Sequence, residues 1–360
     1  MCIFRGMSDD IDLPMEKSMA NPTKGTQPRY HGASLGACIG DALSMPAHWF
    51  YDPQELERTF GRIDCYMAPP SRHPGSILWR SSYAPTEPEF DILGQQRRFW
   101  GQRGVHYHQF LAAGENTLNL KLLQLVLTQV AEHGEYDPGR YLDAYQRFLL
   151  APQEHHDTYV EECHRGFFIN LRAGKKPEKA AVAEKHIGGM VAVIPLYAAL
   201  RHLGHDNAVA RRAVLSHVGL THAGPLVGSG AATLLTLAAE LWEGVQLTES
   251  LGAHLTRQDL PFLQGPLLKQ AELPPERVLG RLYSTACYLD DALPATFYLA
   301  LRYATNAEEG LVANTMAGGD NCHRGAVLGA LLGLDAGPSV FPEHWRTGLR
   351  EVPVLLSTGV

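Results

Sequence analysis

The sequence has no apolar run long enough to cross a bilayer. Its N-terminus carries Asp9, Asp10 and Asp12 where a secretory signal would have a basic start and an apolar stretch. Neither membrane insertion nor secretion is expected. Cysteine is sparse and scattered, with Cys2, Cys38, Cys65, Cys163, Cys287 and Cys322 far apart and no CxxC pair, so neither a zinc motif nor a dithiol redox motif is indicated. Free thiols in a reducing cytoplasm fit this pattern. There is no basic cluster and no interleaving of basic with aromatic residues, and a net charge of −7 with a pI near 6.2 argues against nucleic acid as a partner. A small anionic molecule is not excluded, because helix N-termini and a few arginines can hold a phosphate. Alternating strand patterns and repeats of 20 to 50 residues are also missing.

What is present is a chain of 360 residues, 45% hydrophobic and 19% charged, long enough to bury a large core. Residues 1–29 mix Met, Pro, Lys, Ser and Asp without periodicity and read as a flexible leader, so a single all-α domain is expected over residues 30–360. Asp52-Pro53 signs a helix start, and residues 69–88 form a long irregular loop suited to a lid. From Asp91 onward the pattern reads as helix after helix, with Asp137-Pro138 and Asn306-Ala307-Glu308-Glu309 as further starts. Val352 to Leu356 reads as tail or edge.

The stretch Gly318-Gly319-Asp320-Asn321-Cys322-His323 delivers polar side chains to the start of the apolar run 326–334. The two glycines permit backbone angles closed to other residues and Asp320 can cap a helix, which would gather Asp320, Cys322 and His323 at its N-terminus. There the helix dipole favours anions and lowers thiol pKa values. A capped core helix with an incidental Cys-His pair is the alternative. Near the other end of the sequence, Gly32, Gly36 and Gly40 repeat the spacing of Gly325, Gly329 and Gly333. Each helical glycine costs about 1 kcal/mol relative to alanine, a cost that close helix packing offsets. Pairing these two helices would bring Asp41 and His48 towards Asp320.

Three further polar clusters stand out. Gly114-Glu115-Asn116-Thr117 precedes an apolar run and could cap a helix or offer carboxylate and amide oxygens to a cation. Asp157, Glu161 and His164 stand at i, i+4 and i+7, one face of an expected helix, with Glu161 and His164 at the Glu-x-x-His spacing of helical metal sites. A charged solvent face is the competing account. His222 follows Gly219 at another glycine-marked turn, either as a substrate contact or as a satisfied core histidine.

In combination, the first glycine helix ending Gly40-Asp41 with Pro46 beyond it, the Thr221-His222-Ala223 turn and the glycine-flanked Asp320 turn before its apolar helix resemble the ADP-ribosylglycohydrolase family over about residues 30–337. The resemblance implies an all-α fold and, in active members, a pair of magnesium ions at a cleft that cuts the N- or O-glycosidic bond of ADP-ribosylated groups. It places Glu115, Asn116, Asp320 and Cys322 around one cavity, with His48, Asp157 and His323 close by. The departures are specific. Where the family has Thr-Asp-Asp-Thr this chain has Gly114 to Thr117, and where it has Gly-Gly-Asp-Thr-Asp-Thr this chain has Gly318 to His323. His48 stands where many members place a glutamate.

Of the family's metal ligands, only Asp320 is then unchanged. Glu115, Asn116, Asp320 and His323 are the candidate metal ligands, and magnesium should bind weakly where Cys and His replace hard oxygen donors, leaving another divalent ion or none. Three functions compete. The first is a hydrolase of an ADP-ribose-like glycoside, with Asp320, Glu115 and Cys322 as catalytic candidates and His48, Asp41, Asp157, Glu161, His164, His222 and Asn321 contacting substrate. The second is a hydrolase or transferase using Cys322 as nucleophile beside His323. The third is a non-catalytic protein like the eye-lens crystallins that resemble this family. The lost carboxylates are replaced by Glu, Asn, Cys and His instead of apolar residues, which favours a rebuilt pocket over an abandoned one. A small-molecule or ADP-ribosylated substrate is the expected partner.

Overall fold

In the computed structural model, residues 27–151 and 154–352 are described. The expected leader falls almost wholly outside them, as does most of the Val352 to Leu356 stretch; the part of the leader that is described, Gln27 to Arg29, already belongs to a helix. The α-helices in chain order are α1 (Gln27–Ser44), α2 (Pro53–Phe60), α3 (Leu118–His133), α4 (Pro138–Leu150), α5 (Glu162–Arg172), α6 (Val193–His202), α7 (Asn207–Gly219), α8 (Pro225–Trp242), α9 (Leu247–Arg257), α10 (Leu267–Gln270), α11 (Pro275–Val278), α12 (Leu289–Arg302), α13 (Ala307–Met316), α14 (Asn321–Ala336) and α15 (Glu343–Gly348). The two strands among the described residues, β1 (Val182–Ala183) and β2 (His222–Ala223), form one short parallel pair. The all-α reading is correct.

Helices α1 and α14 are the axis of the molecule. They run antiparallel with Gly32 against Gly333, Gly36 against Gly329 and Gly40 against Gly325, so close that a Cβ on any of the six would overlap the opposing backbone. No side chain intervenes, which is why the apolar run of α14 and nearly all of α1 are buried. The core then builds outward through α6, α8 and α12 on these two helices. Because the pair is antiparallel, the C-terminal end of α1 meets the N-terminal end of α14. Residues 45–50 therefore lie beside residues 318–323.

Local signals explain the other starts. Asp52 accepts from Gln54 N, Asp137 from Arg140 N and Asn306 from Glu309 N, each satisfying an otherwise orphaned donor. Two expectations are corrected. The segment 91–117 is not helical beyond a short 3-10 turn at Gly94–Phe99, and four glycines at positive φ (Gly94, Gly101, Gly104 and Gly114) interrupt it. Residues 155–161 are irregular rather than helical, and α5 begins only at Glu162, with Glu161 at φ −61° and ψ 160°.

Candidate active site

The turn before α14 is built by its glycines and by one arginine. Gly318 and Gly319 both sit at φ +64°, and a Cβ on either would strike the carbonyl of Phe50 or Thr285. Trp49 N donates to Gly319 O and Gly319 N to Phe50 O, both at 2.7 Å, while Asp320 N donates to Thr285 O at 2.8 Å. Arg324, fully buried, donates through Nε to Asn314 Oδ1 at 2.8 Å and through Nη2 to Gly318 O at 2.9 Å, neutralising the carbonyl-rich inside of the turn. Burial pulls its pKa down to about 10, which leaves it charged at neutral pH.

Asp320 sits at the N-cap position but does not cap. Its Oδ1 lies 3.2 Å from His48 Nε2 and 2.8 Å from His323 Nδ1. From there a buried chain of polar groups runs both ways. His48 Nδ1 and His108 Nε2 are 2.6 Å apart, and His108 Nδ1 reaches Asp157, whose second oxygen accepts from Leu118 N at 2.8 Å. On the other side, His323 Nε2 is 3.1 Å from the Asn119 amide, which also bonds Glu161 Oε2 at 2.7 Å and His164 Nε2 at 3.0 Å; His164 Nδ1 ends the chain on Tyr145 OH at 2.8 Å.

These groups wall a narrow cleft with room for about one water molecule, lined by His48, Trp49, His108, Thr117, Asn119, Asp157, Tyr159, Glu161 and His323. Trp49 closes one side, stacked on His48 at 4.0 Å and edge-on to Tyr107 and Tyr159. It holds φ +61°, an unfavourable angle for a bulky residue, kept by the packing around it.

Burial would lower the His323 pKa, but Asp320 and Glu161 beside it overcome that and raise it to about 10. Burial would raise Asp320, yet the flanking imidazoles hold it well below the usual carboxylate range. His48 is the opposite case. Burial carries its pKa down to about 3, only partly offset by Asp320, so it is neutral.

Of the residues singled out in the sequence, His48, Asp157, Glu161, Asp320 and His323 are brought together here. Others are not. The Glu115 carboxylate turns away, accepting from Ala112 N at 2.9 Å and from Lys121 Nζ at 2.7 Å. Asn116 donates to Asp41 Oδ2 and to Cys38 O, both at 2.8 Å, and Asp41 also accepts from Thr117 N and Oγ1. Asp41 is thus a buried anchor for the start of α3, with its pKa raised by burial, and it does not face the cleft. The polar turn lining the cleft is Thr117-Leu118-Asn119, three residues later than the Gly114 to Thr117 register.

Cys322 packs on Met45 and Leu111, its thiol donating to Asp41 O at 3.7 Å. Asn321 is turned to Thr315 O. His164 lies behind Asn119, and His222 lies farther back, its ring 6.3 Å from that of His164. None of residues 69–88 lines the cleft. Sequence reading missed His108, Asn119, Trp49, Tyr159 and Arg324; the signals were the alternating His106-Tyr107-His108 in an irregular stretch and a lone asparagine and a lone arginine in apolar helices.

Magnesium does not fit these donors. It requires several oxygens in octahedral array. Here Thr117 Oγ1 is spent on Asp41 and both Asp157 oxygens are taken, and the nearest groups of potential ligands are imidazole-rich: His48, Asp320 and His323 in one, His48, His108 and Cys322 in another.

Comparison with known proteins agrees with the fold. A solved structure described as an ADP-ribosylglycohydrolase-related protein complex superposes with a TM-score of 0.57 over 93% of this chain and 98% of that one, at 19% identity. At that identity the likeness speaks for the fold alone. No curated protein matches. The sequence model of the ADP-ribosylglycohydrolase family covers residues 22–359. With its paired glycine helices and its polar cleft at the Asp320 turn, the chain belongs to the ADP-ribosylglycohydrolase family.

Proposed function

We propose that the protein is a hydrolase that cleaves the glycosidic bond of an ADP-ribose-like or related glycoside in the cleft beside Asp320, with Glu161 as the general base. The observation that carries this reading is the water-sized cleft with Glu161 on one wall and the His323–Asp320–His48 floor on another. Both Asp157 oxygens are held by His108 and Leu118 N, whereas Glu161 keeps Oε1 only 3.6 Å from His323 Nδ1 and off any hydrogen bond to Asn119. Glu161 is therefore the carboxylate positioned to take a proton from water.

The floor supplies the complementary positive charge. In the chain by itself that charge is the His323 imidazolium held up by Asp320, placed to stabilise a departing oxygen or nitrogen. The cleft admits only the reacting centre, so the bulk of the substrate lies outside it. A cavity of about 860 Å³ bordering the same turn, walled by Tyr51, Arg281 and Thr285, is of the size that takes a nucleotide.

A Cys322 nucleophile is disfavoured. Its thiol is enclosed, and burial together with Asp41 and Asp320 pushes its pKa far up. The test is a panel of ADP-ribosylated and nucleoside substrates assayed with the native chain and Glu161→Gln. Turnover of one substrate with a loss of about 10²- to 10⁴-fold in the variant is expected. Equal turnover by both forms would remove Glu161 from the reaction.

A further inference from the structure

The buried polar atoms at the cleft floor do not balance as the chain stands. Asp320 Oδ2 and His323 Nδ1 are both fully enclosed and without a hydrogen-bond partner, although His323 Nδ1 is 2.8 Å from the other Asp320 oxygen. That short approach with poor hydrogen-bond geometry is what two donor atoms converging on a third body produce.

The neighbouring ring converges on the same carboxylate. His48 Nε2 lies 3.2 Å from Asp320 Oδ1, so two imidazole nitrogens from different elements and one carboxylate meet at a single buried point. A cation held between them would use all three.

From this geometry we infer that His48 Nε2, His323 Nδ1 and the Asp320 carboxylate form a mononuclear site for a divalent transition-metal ion of the zinc or cobalt type, in place of the magnesium the family implies. The three ligand atoms lie within 4.8 Å of one another in a fully buried setting, and two imidazoles with one carboxylate and an open position suit such an ion. The Asp157–His108 pair is the outer support of His48, fixing its tautomer and ring orientation. Ligation at His323 Nδ1 would leave that ring's proton on Nε2, facing the Asn119 side chain. Cys322, although near His48 and His108, belongs to the apolar side and is not a ligand. The inference deepens the hydrolase reading of this cleft, but its test needs no substrate.

The full chain is stripped with chelator and dialysed against Zn²⁺, Co²⁺ or Mg²⁺ separately, with bound metal measured and the cobalt absorption spectrum recorded. One Zn²⁺ or Co²⁺ per chain is expected, with millimolar Mg²⁺ failing to displace it and no sulfur-to-cobalt charge-transfer band. His323→Ala and Asp320→Asn should each weaken binding at least 100-fold, and His108→Gln about 10- to 100-fold, as removal of an outer partner does. Circular dichroism of each variant guards against misfolding, and the milder His108→Gln keeps the test open if the others do not fold. Binding that these variants leave unchanged, displacement by magnesium, a thiolate band, or no stoichiometric metal would each overturn the site. Metal binding without turnover of any substrate would defeat the hydrolase reading and leave the site standing.

Discussion

The Cys322 thiol stands at the start of α14, where sequence alone suggests an activated nucleophile, yet it is enclosed by Met45 and Leu111. A thiolate there would face Asp41, Asp320 and Asp157 without water, so ionisation is strongly opposed. Cys65, by contrast, is exposed. Iodoacetamide applied to the native protein should therefore modify Cys65 while Cys38, Cys163 and Cys322 stay unmodified until denaturant is added. Peptide mass mapping over time checks this, and native-state labelling of Cys322 at the Cys65 rate would contradict the burial described. The same residues show what could be read in advance. Asp320 and His323 were legible because the glycine pair fixes where the turn goes. Glu115 misled because a carboxylate after a glycine looks the same whether it faces a cleft or an internal Lys121, a choice made by a residue six places on. Asp157 and Glu161 were picked by a helical spacing that does not exist; they reach the cleft along an irregular segment.

At the scale of elements, the glycine spacing was sufficient. Six glycines at four-residue intervals, three at each end of the chain, have few explanations other than two backbones in contact, and α1 and α14 pack in that way. The segment 91–117 was illegible because its order comes from long-range ties such as Trp100 Nε1 to Thr158 O and Ile77 N to Tyr107 OH, which leave no periodic trace. A paired substitution tests the packing. Gly36→Ala places a methyl against Gly329 O, and overpacking of this kind costs about 1–3 kcal/mol or more. Gly228→Ala in α8 meets nothing within 4 Å and has no positive φ, so it should be neutral or stabilise by about 0.4–1 kcal/mol. The denaturant midpoint should fall in Gly36→Ala and hold or rise in Gly228→Ala. Equal shifts would mean that α1 and α14 are not in backbone contact.

The stability of the whole molecule carries the mark of its buried histidines. His217 on α7 does not line the cleft, its ring edge-on to Tyr141 at 4.5 Å and to Tyr136 at 5.6 Å, with His222 the ionisable neighbour that acts on it. Burial, reinforced by His222, lowers its pKa to about 3. A histidine depressed in this way is neutral in the fold but takes up a proton in the unfolded chain below about 6.5, so acidification favours unfolding. Its contribution is therefore intact above pH 6.5 and is lost progressively as the pH falls from there towards 3. His73, with its pKa lowered by burial to about 4, adds to the same trend, as do His106 and His164. Stability should thus begin to fall in mildly acidic buffer, before most carboxylates titrate. His217→Gln removes one such proton, so the slope of unfolding free energy against pH between 6 and 4 should flatten by about 1.4 kcal/mol per pH unit. Urea titrations of both forms at several pH values in that range measure the slopes directly. If the two are the same, His217 is already protonated in the folded protein, and the α7 to α4 packing admits a charge that its burial forbids.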